Sequence, residues 1–203
     1  MVRHQIENRG VTHPGVLDAM RAVPRHEFVL PQDLNRAYED GPLPIGLGQT
    51  ISQPYIVALM TELLDPRPSD IVLEIGTGSG YQSAVLSHLV QHVYTVERHP
   101  ELALTARERL ERLGRRNVTV LCGDGYDGWP QFAPYDGILV TAAPPAIPEE
   151  LYNQIKPGRH IIIPVGAGTQ DLLKITMEPD GPVARSITPV RFVPLLRQLP
   201  PEV

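Results

Sequence analysis

The run Val72-Leu73-Glu74-Ile75-Gly76-Thr77-Gly78-Ser79-Gly80-Tyr81 limits what this chain can fold into more than any other stretch. Its apolar start reads as a buried strand. Alternate glycines then make a tight turn, and Ala84, Val85, Leu86, Leu89 and Val90 continue as a helix. Glycines so spaced let backbone approach a ligand where any Cβ would clash. A nucleotide-like cofactor at this turn is the functional expectation. A plain strand-to-helix turn is the competing one.

The same alternation repeats downstream. Strands are expected at Ile71 to Ile75, Val93 to Val96, Val118 to Leu121, Tyr135 to Val140 and His160 to Val165, with two more at Leu172 to Met177 and Ser186 to Val193. Pro100 suits the first turn of a helix through Leu102, Ala106, Leu110 and Leu113, and Gly114 stops it. Pro148 opens a short helix to Ile155, and Lys156-Pro157-Gly158 reads as a turn into the fifth strand. The expected fold class is α/β: a Rossmann-like, doubly wound, mostly parallel seven-stranded sheet with helices on both faces. Residues 1–30 read as helical, with Pro14 starting a helix through Leu17 and Met20. Residues 31–53 read as an extended loop rich in Gly and Pro, and Pro54 opens a helix through Ile56, Val57, Met60, Leu63 and Leu64. The 203 residues suggest one domain, in which a substrate-side segment, 1–53, packs on a cofactor-binding core, 54–203.

Composition narrows the function classes. Net charge is -5 with no block of like charge, which disfavours a nucleic-acid partner. No apolar run reaches membrane-spanning length, and the polar start Met1-Val2-Arg3-His4-Gln5-Ile6 lacks a signal-peptide core. One cysteine, Cys122, excludes an intramolecular disulfide and reads as a small buried residue at a strand end. These features point to the cytoplasm, and a monomer is expected.

Spacing separates the cofactors. The dinucleotide fingerprint needs G-x-G-x-x-G, but the third position holds Tyr81 counted from Gly76 and Ser83 counted from Gly78. No Gly-Lys-Ser/Thr follows for a phosphate loop, and Ser79 lacks the flanking glycines of a hydrolase elbow. The remaining G-x-G-x-G pattern, preceded by Glu74, is that of S-adenosyl-L-methionine methyltransferases. Two further marks sit at successive strand ends. Glu97 follows Gly76 by 21 residues, where a carboxylate can accept both ribose hydroxyls. Asp124, between Gly123 and Gly125, can accept a hydrogen bond from an adenine amino group. Their alternatives are a solvated strand-end acid and an Asp-Gly turn.

At this point the chain closely resembles the protein-L-isoaspartate O-methyltransferase family. The likeness runs from Met1-Val2-Arg3-His4-Gln5-Ile6 through Val23-Pro24-Arg25-His26-Glu27-Phe28-Val29 to Ile163-Pro164-Val165-Gly166. It also takes in Val93-Tyr94-Thr95-Val96-Glu97-Arg98 and Val140-Thr141-Ala142-Ala143-Pro144. The stretch Gly48-Gln49-Thr50-Ile51-Ser52-Gln53-Pro54 is its diagnostic part, because general methyltransferases lack it. The resemblance implies methyl transfer from S-adenosyl-L-methionine, with S-adenosyl-L-homocysteine as product and no metal. The acceptor would be the α-carboxyl of isoaspartyl residues in damaged peptides and proteins. It also implies cofactor contacts at Gly76, Thr77, Gly78, Ser79, Gly80, Glu97, Arg98, Asp124 and Gly125. Ser52 corresponds to the family's active-site serine, and Thr50, Ile51 and Tyr55 are candidate substrate contacts. Three positions depart from the pattern: Arg159 where a second glycine is usual, Tyr55 where some relatives carry His, and Leu196-Arg197 where a small or hydroxyl residue is common.

The chemistry expected of such an enzyme matches the side chains present. A peptide α-carboxyl, with a pKa of about 3.5, is already an anion at neutral pH and needs no general base. The chain has no persuasive Ser-His-Asp, Cys-His or metal-ligand spacing. Ser52 is expected to orient the acceptor carboxylate, with a helix N-cap as its alternative role. The rivals are a small-molecule or RNA methyltransferase of the same class, a nicotinamide dehydrogenase, and a non-catalytic cofactor-binding protein.

Overall fold

A computed structural model describes residues 1–197. The N-terminal part begins with two short helical turns, Val2–Ile6 and Glu7–Arg9, before helix α1, Pro14–Ala22. Pro14 occupies the first helical position, and His13 Nδ1 accepts the Val16 amide at 3.2 Å, so the helix start is capped. Its buried face is Val16, Leu17, Ala19 and Met20. Two 3₁₀ turns, Arg25–Phe28 and Pro31–Arg36, lead to an antiparallel hairpin of β1, Leu43–Gly46, and β2, Gln49–Ile51. Helix α2, Pro54–Leu64, follows.

The core then alternates as β3, Ile71–Ile75; α3, Tyr81–Leu86; β4, His92–Glu97; α4, Pro100–Arg112; and β5, Val118–Cys122. It continues as β6, Tyr135–Val140; α5, Glu149–Tyr152; β7, Ile155–Val165; β8, Gln170–Glu178; and β9, Gly181–Val190. The strands form one sheet in the order β5-β4-β3-β6-β7-β8-β9. β3 to β7 are parallel, and β8 and β9 run antiparallel. The chain reverses its direction of travel between β5 and β6, so the connections leaving β3 and β6 diverge and open a crevice at their carboxyl ends.

Alternation along the strands divides the core. Val72, Leu139 and Ile162 face α2 and pack with Met60 and Leu64. Leu73, Ile75, Ile138, Val140, Ile161 and Ile163 face the other side and pack with Leu151. With both faces covered, the central strands read as near-continuous apolar runs. The described residues contain no helix long and apolar enough to cross a membrane.

Several boundaries differ from the sequence expectation. The 31–53 segment is not one extended loop, because Leu43, Ile45 and Ile51 bury one face of a hairpin too short for a period to register. Its turn, Gly46-Leu47-Gly48, has positive φ at all three residues, 96°, 52° and 71°. Helix α3 stops at Leu86, and Leu89 and Val90 pack from the turns beyond it. Helix α5 stops at Tyr152, and Lys156-Pro157-Gly158 lies inside β7 rather than making a turn. A register shift between Tyr135 and Gly137 on β6 absorbs that stretch as a bulge-like irregularity. The last strand starts at Gly181, five residues before the expectation, and ends at Val190. As a largely exposed edge strand it has no apolar alternation to mark it. Cys122 is exposed rather than buried, because β5 is the other edge of the sheet.

Arg159, a departure from the family pattern, has a structural partner. Its guanidinium pairs with Asp70 and donates to the Asp136 carbonyl, with both side chains of the ion pair nearly buried. Lys156 adds a second contact to Asp136 at 2.8 Å. Together they pin the start of β7 to the starts of β3 and β6.

Candidate functional site

The glycine turn after β3 sits at the crevice. Gly76 has φ 95°, and a Cβ there would lie 2.3 Å from Thr141 Oγ1. Only glycine fits both the backbone and the space. Thr141, just past β6, donates its hydroxyl to the Gly76 carbonyl at 2.6 Å, with the Ile75 carbonyl at 3.0 Å. Its amide donates to Ile75 at 2.9 Å. Two diverging strand ends are thereby tied at the switch point.

Glu97 closes the turn from the β4 side. Its Oε2 accepts the Gly78 amide at 2.8 Å and its Oε1 accepts the His99 amide at 2.9 Å. The carboxylate has about four acceptor positions, so one per oxygen remains for a ligand's donors. Arg98 Nε and His99 Nε2 are buried without a partner at this same strand end. Buried polar atoms are ordinarily satisfied, and Arg98 also lines the first cleft, so its Nε is a candidate ligand contact, whereas His99 lines no cleft. A glycine cradle, a carboxylate with free acceptor positions and the unpaired Arg98 nitrogen fit a nucleoside bearing a vicinal diol.

Glu74, beneath the turn, is fully buried and accepts the Ser83 hydroxyl through Oε2, while Oε1 is unpaired. Burial pushes its carboxyl up to about 8 despite the bond from Ser83. Tyr81 is likewise pushed up to about 12 by burial. The buried Arg25 guanidinium lies 5.0 Å from the Tyr81 ring and donates to the Ala37 and Gly41 carbonyls at 2.9 and 3.3 Å. Burial lowers its pKa, and it holds the 37–41 stretch against α3.

Two clefts open here. The first is lined by Gly76 to Ser79, Glu97, Arg98 and Gly125, and Tyr81 and Ile51 form part of its wall. The second lies between the start of α2 and the chain just after β9, with Tyr55, Ile56 and Phe192 among its walls. Thr50, Ser52, Thr141 and Val193 line both, so the clefts meet at these four residues.

Most residues singled out from the sequence converge on this pair of clefts. Gly80 and Asp124 do not line either. A Cβ on Gly80 would meet Leu110 and Ala106 of α4, so that glycine permits helix packing and, at φ 87°, starts α3. Asp124 Oδ1 accepts the Tyr126 amide at 2.9 Å, an Asp turn beside the cleft wall, and Oδ2 lies 3.7 Å from Arg197. Ser52 is not the N-cap of α2. That position belongs to Gln53, whose side chain makes no capping bond, so the first-turn amides of α2 stay uncapped. Tyr55 lines the second cleft only, under the Arg9 guanidinium at 3.6 Å. Leu196 lies at the rim of the first cleft, about half exposed. Sequence reasoning gave no role to Thr141, Gln82 or the second cleft's C-terminal wall. A hydroxyl at the end of a strand was the available signal for Thr141, but the sheet order that sets it against Gly76 was not.

Comparisons with known proteins speak to the family and the fold. The family model described as protein-L-isoaspartate(D-aspartate) O-methyltransferase matches residues 1–199. A protein-L-isoaspartate O-methyltransferase of Gloeobacter violaceus is 54% identical over 204 residues, covering 100% of both chains. Protein-L-isoaspartate O-methyltransferase 2 of Nitrosococcus oceani is 57% identical over 182 residues, 89% of this chain and 83% of its own. A solved protein-L-isoaspartate O-methyltransferase superposes with TM-score 0.85 at 31% identity, over 96% of this chain and 65% of that one. A Plasmodium falciparum structure, described as a putative member in complex with S-adenosyl-L-homocysteine, gives TM-score 0.84 at 24% identity over 97% of each chain, which speaks to the fold. The glycine turn, the acid at the end of β4 and the Ser52 segment thus sit in a chain that belongs to the protein-L-isoaspartate(D-aspartate) O-methyltransferase family.

Proposed function

We infer that this chain transfers a methyl group from S-adenosyl-L-methionine to the α-carboxyl of L-isoaspartyl residues in damaged peptides and proteins. The observation that carries the inference is the meeting of two clefts at Thr50, Ser52, Thr141 and Val193. A donor in the first cleft and an acceptor in the second can touch only there.

S-adenosyl-L-methionine supplies an electrophilic methyl on a positively charged sulfur. Glu97 would hold the ribose hydroxyls, because each of its oxygens keeps a free acceptor position. Gly76 to Ser79 admit the cofactor close to the backbone, and Arg98 offers its unpaired Nε. Gly80 acts by letting α3 start against α4.

The acceptor carboxylate arrives already ionised, so the chain's task is placement. Ser52 donates its hydroxyl to one carboxylate oxygen. The uncapped first turn of α2 favours the anion by its dipole. Thr50, Ile51 and Tyr55 shape the walls on that side. Fixing the oxygen in line with the methyl contributes on the order of 7–11 kcal/mol when geometry is optimal. An anion and a cation become neutral products, so excluding water from the junction speeds transfer. The 1–53 segment, held by Arg25 and the hairpin, provides that exclusion. The methyl ester then closes to a succinimide by attack of the neighbouring backbone amide, losing methanol. Hydrolysis of the ring restores some normal aspartyl linkage, and neither later step needs the enzyme. The chain acts as a monomer in the cytoplasm.

The test is methyl transfer to paired synthetic peptides, one isoaspartyl and one aspartyl. Turnover on the isoaspartyl member alone is expected. Equal turnover on both, or none on either, overturns the reading.

A further inference from the structure

The second cleft has an electrostatic character unlike that of the chain as a whole. Net charge is -5, and acids outnumber bases 23 to 18. Yet among the described residues the charged ones lining this cleft are Arg9 and Arg191, and none is acidic. Their environments differ. Arg9 Nη1 lies 3.3 Å from Asp40 Oδ2, and its guanidinium stacks 3.6 Å above the Tyr55 ring. Asp40 in turn accepts Gln53 Nε2 at 2.8 Å. Arg9 is therefore neutralised and built into the wall beside Ser52. Arg191 is exposed and, among the described residues, has no salt-bridge partner.

Position matters as much as charge. Ser52 and Thr141 lie at the junction of the clefts, whereas Arg191 lines only the second. It follows β9 directly and stands two residues before the junction residue Val193. A cation at the junction would hold the acceptor carboxylate but weaken it as a nucleophile. A cation two residues out spares the reacting oxygen and meets what flanks it.

We propose that Arg191 is a specificity-determining residue that selects isoaspartyl peptides carrying an acidic side chain beside the damaged residue. This rests on the methyl-transfer reading above. An acidic neighbour gains a charge partner at Arg191, and a lysine neighbour meets a like charge that Asp40 does not offset. The discrimination appears in KM, because the flanking contact is equal before and during transfer. Added salt weakens it, because Arg191 is solvent-exposed.

The test uses three isoaspartyl peptides that differ only in having Glu, Gln or Lys at the adjacent positions. They are assayed with wild type, Arg191→Gln and Arg191→Lys. Wild type is expected to favour the Glu peptide over the Lys peptide by about five-fold or more in kcat/KM at low salt. Arg191→Gln reduces the ratio below about two-fold, and Arg191→Lys retains most of it. A wild-type enzyme without preference, or an Arg191→Gln variant that keeps it, overturns the proposal. No methylation of the Gln peptide by any form overturns the methyl-transfer reading instead.

Discussion

The Gly78 amide donates to Glu97 Oε2 at 2.8 Å, across two adjacent strand ends. One carboxylate thus sets the shape of the glycine turn while keeping acceptor positions for a ligand. Glu97→Ala removes both functions. S-adenosyl-L-homocysteine affinity is expected to fall by about 10- to 100-fold, the worth of hydrogen bonds to a charged group. Calorimetric titration reads this directly, and unchanged affinity would take Glu97 out of the cofactor site.

Ser52 lines both clefts and stands two residues before α2. Ser52→Ala should leave cofactor affinity intact and lower kcat/KM on isoaspartyl peptide by about ten-fold or more, consistent with one lost bond to a carboxylate. A steady-state assay beside a cofactor titration separates these effects. Wild-type turnover in the variant would refute the orienting role.

Arg159 and Asp70 form a nearly buried ion pair that joins β7 to the start of β3. Replacing one partner strands the other charge. Arg159→Ala is expected to cost about 3–5 kcal/mol of unfolding free energy, read as a lower urea midpoint. The pair lies outside both clefts, so KM for peptide should not change. A neutral effect on stability would show that Asp70 finds another partner.

Glu74 gives a pH dependence with a defined sign. Burial raises its folded pKa from 4.5 to about 8. Between those values the folded protein keeps a proton that the unfolded chain releases, so stability falls as pH rises from about 4.5 to about 8. Below that window the contribution is fully present, and above it the loss is complete. Glu74→Gln keeps an acceptor for Ser83 and cannot titrate. Urea unfolding at pH 5, 7 and 9 should show the variant gaining on wild type as pH rises. Parallel curves would mean that Glu74 is ionised throughout.

Much of the core was legible from local patterns. Strands buried on both faces, such as Val72 to Ile75 and Ile161 to Ile163, announce themselves by continuous apolar residues. Pro14, Pro54 and Pro100 mark helix starts because a first-turn residue needs no amide donor. The β1–β2 hairpin was not legible, and β9 was read only from Ser186 onward. One is too short to establish a period, and the other is an exposed edge without an apolar face.

By itself the sequence determined the glycine turn and the parallel sheet, because glycine spacing and hydrophobic period act over a few neighbouring residues, while the family was legible through the resemblance carried by Gly48 to Pro54. Only the tertiary structure decided that Thr141 ties the glycine turn, that Gly80 and Asp124 stand off the cleft lining, and that Arg9 and Arg191 face the same cleft. Those relations join residues far apart in the chain. They depend on which strand lies beside which, and packing of the whole sheet sets that order.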